Sequence, residues 1–174
     1  MRHIIKQRKA AVTAAMKQAE AEVVFSHIEA MPQFVEARRV LLYHSLPDEL
    51  PTTEVLSRWI ETKDIYLPRV NGDLLDVVPA CGTLDSNNRF HIAEPQGEAV
   101  NPGCIDLVIV PAVALDSHGH RLGRGKGFYD RLLSVARAYT IGVAMDCQLV
   151  DEVPCEPHDI PLNAVITASH QYYR

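Results

Sequence analysis

Several features that would settle the class of a protein at once are missing from this sequence of 174 residues. Its four cysteines, Cys81, Cys104, Cys147 and Cys155, form no Cys-x-x-Cys pair, which argues against zinc ribbons and thioredoxin-like chemistry. No apolar run is long enough to cross a bilayer, and no charged-then-apolar leader opens the chain. The expectation is a cytoplasmic protein with reduced thiols and no membrane partner. Positive charge is not in excess: 17 Lys and Arg stand against 22 Asp and Glu, a net charge of −5. No basic stripe with interleaved aromatics is present, so nucleic acid is not an expected partner. Internal repeats and low-complexity tracts are also lacking. What remains is 47% apolar content in a length that suits one domain, residues 1–174, with a real core. Monomer and homodimer both stay open.

Hydrophobic spacing predicts a helix over residues 4–30, with Ile5, Val12, Met16, Ala19, Val23 and Ile28 on one face. Pro32 marks its end or a break. Val40-Leu-Leu-Tyr-His44 reads as a strand, and Thr52 or Thr53 as the cap of a helix over Glu54 to Glu61. Ile65-Tyr-Leu-Pro and Leu74-Leu-Asp-Val-Val read as a hairpin about the Asn71-Gly72 turn. Residues 80–104 read as a long functional loop. Residues 105–111 are apolar on both faces, as in a buried parallel strand. A helix over Phe128 to Arg137 and strands at 140–145 and 164–167 complete the pattern. Alternating strands and helices point to an α/β fold, a three-layer α/β/α sandwich with a mostly parallel, partly mixed central sheet. In such sheets ligands sit beyond the carboxyl ends of strands. His44, Glu49, the glycine-rich segment and Asp146 all follow strand ends and could share one cleft.

The most informative segment follows the 105–111 strand. In Arg121-Leu-Gly-Arg-Gly-Lys-Gly-Phe-Tyr-Asp130, the glycines Gly123, Gly125 and Gly127 alternate with Arg124 and Lys126, and a helix begins at once. Glycines let backbone come close to a ligand, consecutive N–H groups can converge on an anion, and the helix N-terminus favours negative charge. Arg121, Arg124 and Lys126 add full positive charges. The spacing is neither a P-loop nor a dinucleotide fingerprint. Read alone, the loop predicts phosphate or polyanion binding and names no reaction. A tight turn with merely solvated cations is the competing interpretation.

Other candidates are ambivalent. Asp130 could serve the helix dipole or a ligand, and Phe128 and Tyr129 could stack on a ring or pack the helix start. Asp159 by itself reads as a surface carboxylate, and His44 and Glu49 as solvated groups of a loop held by Pro47. His118, His120 and His158 read as loop histidines, Cys104 and Cys147 as core fillers, and Trp59 as core or interface.

The glycine loop resembles the signature of the 5-formyltetrahydrofolate cyclo-ligases, Arg-Leu-Gly-x-Gly-x-Gly-x-Tyr-Asp. Tyr43-His-Ser-Leu-Pro-Asp-Glu49, with Thr52 or Thr53 after it, is similar to the family's segment after its first strand. Ile109-Val-Pro-Ala-Val-Ala-Leu-Asp116 resembles its lead-in to the loop. Gln148-Leu-Val-Asp-Glu-Val-Pro154 and Glu156-Pro-His-Asp159 resemble its C-terminal segment. His91-Ile-Ala-Glu-Pro95 is similar to a further family segment, with His91 where glycine is usual. The resemblance implies ATP-dependent cyclisation of 5-formyltetrahydrofolate to 5,10-methenyltetrahydrofolate, with ADP and phosphate released. It also implies an ATP site of Arg2, Arg121, Gly123, Arg124, Gly125, Lys126, Gly127, Phe128 and Tyr129, with Arg124 and Lys126 catalytic. It implies folate contacts from His44 and Glu49, and Mg²⁺ held by Asp130 and Asp159. Arg2 falls at the arginine of the family's N-terminal Lys-x-x-x-Arg pattern. The lysine position would precede Met1; either the native start lies upstream, or Lys6 or another cation substitutes. Two other readings remain: a non-catalytic folate or nucleotide binder, and an ATP-independent enzyme on a related α/β scaffold.

Overall fold

The computed structural model describes residues 1–80, 84–85, 94–156 and 159–174. His91, Cys81, His158 and residues 81–83 and 86–93 of the segment expected to be a long loop lie outside them. In chain order the helices are α1 (Arg2–Ala10), α2 (Ala14–Glu29), α3 (Pro32–Glu36), α4 (Thr53–Trp59) and α5 (Phe128–Val135). The first strands are β1 (Arg39–Leu41), β2 (Asp64–Asn71), β3 (Leu74–Pro79), β4 (Leu84–Asp85) and β5 (Glu94–Pro95). Then come β6 (Leu107–Pro111), β7 (Ala114–Leu115), β8 (Arg121–Leu122), β9 (Tyr139–Val143), β10 (Ala164–Ile166) and β11 (Gln171–Tyr173).

Seven strands form the main sheet in the order β11-β10-β9-β6-β1-β2-β3. β1 pairs in parallel with β2 and β6, and β9 with β6 and β10. The antiparallel partners, β3 and β11, sit at the two edges. The mostly parallel, partly mixed sheet expected from the sequence is therefore present, and the Asn71-Gly72 turn joins β2 to β3.

Both faces of the sheet are covered, which is why its central strands are apolar throughout. Leu107, Ile109, Ile141 and Ile166 face one core with Val24, Phe25 and Ile28 of α2, Phe34 of α3 and Trp59 of α4. Val108, Val110 and Val165, one residue out of phase, face the other core with Leu132 and Leu133 of α5. Each such fully buried side chain contributes about 1.5–3 kcal/mol. Trp59 packs edge-on to Phe25 at 5.7 Å, and its indole N–H donates to Glu29 at 2.7 Å. That hydrogen bond lets the polar end of the ring lie in the core without a desolvation cost.

Four expectations are corrected. The single helix over residues 4–30 is two helices. Thr13 caps α2 by accepting from Met16 N at 3.2 Å, and a hydroxyl so placed favours a new helix start over continuation. The break also shifts the buried face. Ala21, Val24, Phe25 and Ile28 face the core, whereas Met16 (49%) and Val23 (42%) are exposed. Thr52 stands at the start of α4 without capping it by its side chain. Its hydroxyl instead donates to Tyr43 O (2.9 Å) and accepts from Ser45 N (3.1 Å), which ties down the loop after β1. Finally, the strand at Ala164–Ile166 is not the last. β11 adds an antiparallel edge that is short and largely exposed, so it shows no hydrophobic period.

Candidate active site

The glycine loop is delivered to its place by a small ladder. β7 pairs with β8, Ala114 with Leu122 and Leu115 with Arg121, so the chain turns back on itself between Asp116 and His120. Arg121 thereby emerges beside the carboxyl end of β6. Two side chains then hold the loop from outside. Arg2 of α1 donates from Nε to Gly123 O at 3.0 Å. Arg131 of α5 donates to Lys126 O and to Asp73 O, both at 2.7 Å, and so ties the loop to the β2–β3 turn.

Between these elements lies a cavity of about 700 Å³. Arg2, His44, Glu49, Arg121, Gly123, Arg124, Gly125, Lys126, Gly127, Phe128, Tyr129, Asp130 and Asp159 all line it. These thirteen residues therefore reach one cleft. Lys6 does not line it, and neither does Asp146, which was expected there. The Asp146 carboxylate accepts from Ser169 N (3.0 Å) and Ser169 Oγ (2.7 Å), which draws it to the loop after β10.

The charges of the cleft are unequally satisfied. The Arg121 side chain is only 6% exposed, and its Nη2 meets Asp130 Oδ1 at 2.5 Å. Its Nε is buried and has no hydrogen-bond partner among the described residues. Arg124 Nη2 lies 2.6 Å from Asp48 Oδ1 and 3.0 Å from Glu49 Oε1. Lys9 of α1 meets the other Asp48 oxygen at 2.7 Å. Burial alone would raise the Asp48 pKa, but its hydrogen bonds to Lys9 and Arg124 outweigh that and lower it. Lys126 is exposed, and its ammonium makes no hydrogen bond or ion pair among the described residues.

Aromatic and imidazole groups complete the wall. Burial lowers the His44 pKa, which favours the neutral ring near neutral pH. Desolvation raises the Tyr129 phenol, and the charge of Glu49 adds to the rise. The Arg121 guanidinium stands 5.8 Å from the Tyr129 ring centroid, and that of Arg131 stands 5.6 Å from the Phe128 ring centroid. The cleft thus brings cations together with rings, aliphatic surface and carboxylates.

Comparison with known proteins identifies the family. The family model described as "5-formyltetrahydrofolate cyclo-ligase family" matches residues 1–168. The chain belongs to that family. The 5-formyltetrahydrofolate cyclo-ligase of Escherichia coli (strain K12) is 35% identical over 177 aligned positions, covering 95% of this chain and 97% of that protein. The cyclo-ligase of Mycolicibacterium smegmatis is 32% identical, covering 96% of this chain and 91% of that protein. The solution structure of the Aquifex aeolicus 5,10-methenyltetrahydrofolate synthetase superposes with a TM-score of 0.87 at 30% identity, over 98% of this chain and 89% of that one.

Some lining residues of this cyclo-ligase family member escaped sequence reading. Pro68 and Val70 of β2 and Leu75 of β3 form an apolar wall, and Tyr43 and Arg131 also line the cavity. The hairpin itself was legible, but nothing in its alternation says which face meets a ligand. Asp48 was visible only as part of a motif, since its role depends on Lys9 and Arg124 from two distant elements.

Asp130 and Asp159 have the ligand chemistry that magnesium takes. Both are carboxylates on one cavity wall, and a hard cation of this kind uses one or two carboxylates with phosphate oxygens and water. Arg121 engages Oδ1 of Asp130, and Asp159 uses Oδ2 to accept from Glu156 N at 2.7 Å. The described residues group one other set of potential ligands, Asp116, His118 and His120, with ligating atoms within 4.8 Å of one another. The histidines are indeed on a turn, and the carboxylate is already committed to backbone N–H groups. No helix among the described residues is long and apolar enough to cross a membrane.

Proposed function

We propose that the protein catalyses the ATP-dependent cyclisation of 5-formyltetrahydrofolate to 5,10-methenyltetrahydrofolate, with release of ADP and phosphate. Family membership supports the reaction. The observation that carries the reading is the pairing, in one cleft, of under-satisfied cations with an apolar wall and a carboxylate. Among the described residues the buried Arg121 Nε has no acceptor and calls for one, and the exposed Lys126 ammonium of the same cleft is unpaired.

The chemistry needs that anion site. A formamide oxygen is a poor leaving group. Transfer of the γ-phosphoryl group to it, with ADP leaving, gives an activated imidate-like phosphate. N10 then attacks the formyl carbon, the ring closes, N10 gives up its proton, and inorganic phosphate leaves with the former formyl oxygen. Phosphoryl transfer depends on positioning and charge neutralisation more than on covalent participation of the protein. Arg121, Arg124, Lys126 and the N–H groups of Gly123, Gly125 and Gly127 supply both at the phosphate end. Arg2 holds the loop at Gly123 and adds charge. Phe128 and Tyr129 offer ring surfaces. Glu49, which Arg124 joins to the cationic loop, accepts from the pterin N–H and amino donors, and a neutral His44 lines the same cleft. Mg²⁺ would neutralise charge across the phosphates, and Asp130 and Asp159 are the residues to hold it. Dependence on ATP favours the cytoplasm as the compartment.

The test is near-ultraviolet absorbance during incubation with 5-formyltetrahydrofolate, ATP and Mg²⁺, beside an ATP-free control. Growth of the methenyl band only with ATP is expected. Growth without ATP would replace the reading with an ATP-independent reaction. Folate binding without any growth would replace it with a binding protein.

A further inference from the structure

The folate and nucleotide subsites, as assigned above, meet at a single ion pair. Glu49 Oε1 accepts from Arg124 Nη2 at 3.0 Å and from Arg124 Nε at 3.3 Å. Its other oxygen, Oε2, accepts from Leu46 N at 3.0 Å and closes the turn in which Glu49 sits. The Glu49 side chain is 11% exposed. Both of its oxygens are therefore in use, with little water to replace a lost partner. A pterin that donates to Glu49 has to take lone pairs that Arg124 now holds. Arg124, for its part, cannot turn its guanidinium to a phosphate while it lies on Glu49 and Asp48.

The two acidic partners differ in what they keep when Arg124 leaves. Asp48 is 51% exposed and retains Lys9 at 2.7 Å. Lys9 is itself only 11% exposed, so this second pair is anchored. Glu49 has no other cationic partner among the described residues. A phosphate that draws Arg124 away leaves Asp48 compensated and Glu49 in need of donors, in a pocket shaped for a ligand.

We propose that the Arg124–Glu49 ion pair is a latch coupling the two substrate sites, so that nucleotide and folate each tighten the binding of the other. This rests on the folate and ATP assignments of the proposed function. Linkage makes the effect reciprocal, and couplings between sites commonly lie at about 5- to 150-fold. Arg124 is half exposed, which screens the pair and places the expected factor at the low end, about 5- to 10-fold.

Calorimetric titration of 5-formyltetrahydrofolate into the full chain, with and without a non-hydrolysable ATP analogue and Mg²⁺, reads this directly. The folate Kd should fall about 5- to 10-fold with the analogue, and the analogue Kd should fall by the same factor with folate. Arg124→Gln should bind folate without nucleotide about as tightly as the wild type does with it. A wild-type folate Kd unmoved by the analogue overturns the latch, and this measurement needs no variant. An Arg124→Gln chain that binds folate no tighter than the nucleotide-free wild type also overturns it. If methenyl product still forms in those cases, the reaction stands and only the latch falls. If folate binds under neither condition and no product forms, both fall.

Discussion

Two neighbouring glycine-containing segments, Asp116–His120 and Arg121–Gly127, behave as opposites in the fold. Asp116 is fully buried, and its carboxylate is saturated. Oδ1 accepts from His118 N at 2.9 Å and His120 N at 3.0 Å, while Oδ2 accepts from Val153 N at 2.9 Å and meets His120 Nδ1 at 3.0 Å. Four partners on one carboxylate leave no lone pair for a metal, so the nearby histidines belong to a rivet. In the second segment Arg121 Nε and Lys126 Nζ have no partner among the described residues. The glycines follow the same division. Gly119 and Gly125 have nearly equal φ, +87° and +89°. A Cβ on Gly119 would stand 2.5 Å from Leu162 O, whereas one on Gly125 would meet nothing nearer than the Arg2 side chain at 3.5 Å. Saturation marks scaffold, and unmet hydrogen-bonding capacity marks the place reserved for a ligand.

Substitutions in the two segments should therefore separate stability from turnover. The largest effect is expected for Asp116→Ala, which strands three backbone N–H groups, one of them on buried Val153. The loss should be about 3 kcal/mol or more, read as a fall in Tm of about 6–12 °C, with activity per folded molecule retained. A Tm within 2 °C of wild type, roughly the shift of half a kcal/mol, would break the comparison. Lys126→Ala should do the reverse. Turnover should drop about 100-fold, in the range for loss of one preorganised charge-stabilising group, while Tm stays put. Normal turnover would remove Lys126 from the machinery.

The paired glycine variants sharpen the contrast. Gly125→Ala should cost about 1–2 kcal/mol from its left-handed backbone alone, together with turnover. Gly119→Ala should cost more, because the backbone carbonyl of Leu162 cannot yield as a flexible side chain can. Equal destabilisation in chemical denaturation would count against the division. Glu49→Ala should raise the KM for folate about 10-fold and the KM for ATP by less, the difference measuring how far Glu49 belongs to the folate end. Equal effects would place it elsewhere.

The smallest effect is a pH dependence. Burial alone would raise the Asp116 pKa, but hydrogen bonds from the Val153 and His120 N–H groups, the His120 ring and the His118 N–H outweigh it and lower it. A carboxylate whose folded pKa lies below its unfolded value, about 3.9, binds more protons when unfolded. Its contribution is therefore complete above about pH 4 and is lost as pH falls through the lower folded value. Asp116→Asn should flatten the acid limb of a stability-versus-pH curve, and an unchanged limb would mean other carboxylates set it.

Much of the site was legible before folding was considered, and the reason is local. Glycines between cations at Gly123 to Gly127 report backbone freedom and charge, and both act within a few residues. The apolar run ending at Pro111 reports burial on both faces, and Asn71-Gly72 reports a turn. The break at Thr13 was missed because one apolar residue, Val12, kept the helical period alive across it. β11 was missed because an exposed edge strand need not alternate. Asp146 was misplaced because following a strand end does not say which loop a side chain joins.

By itself the sequence determined which chemistry lies where along the chain: the glycine loop with its cations, the carboxylates, and the buried strands that carry them to one end of a sheet. Only the tertiary structure decided which charges are paired and which are left open. Glu49 and Arg124 lie 75 residues apart, and Lys9 reaches Asp48 across 39. Propensity and periodicity act over a few turns of chain, so contacts over such separations arise only when the sheet and its helices have brought the segments together.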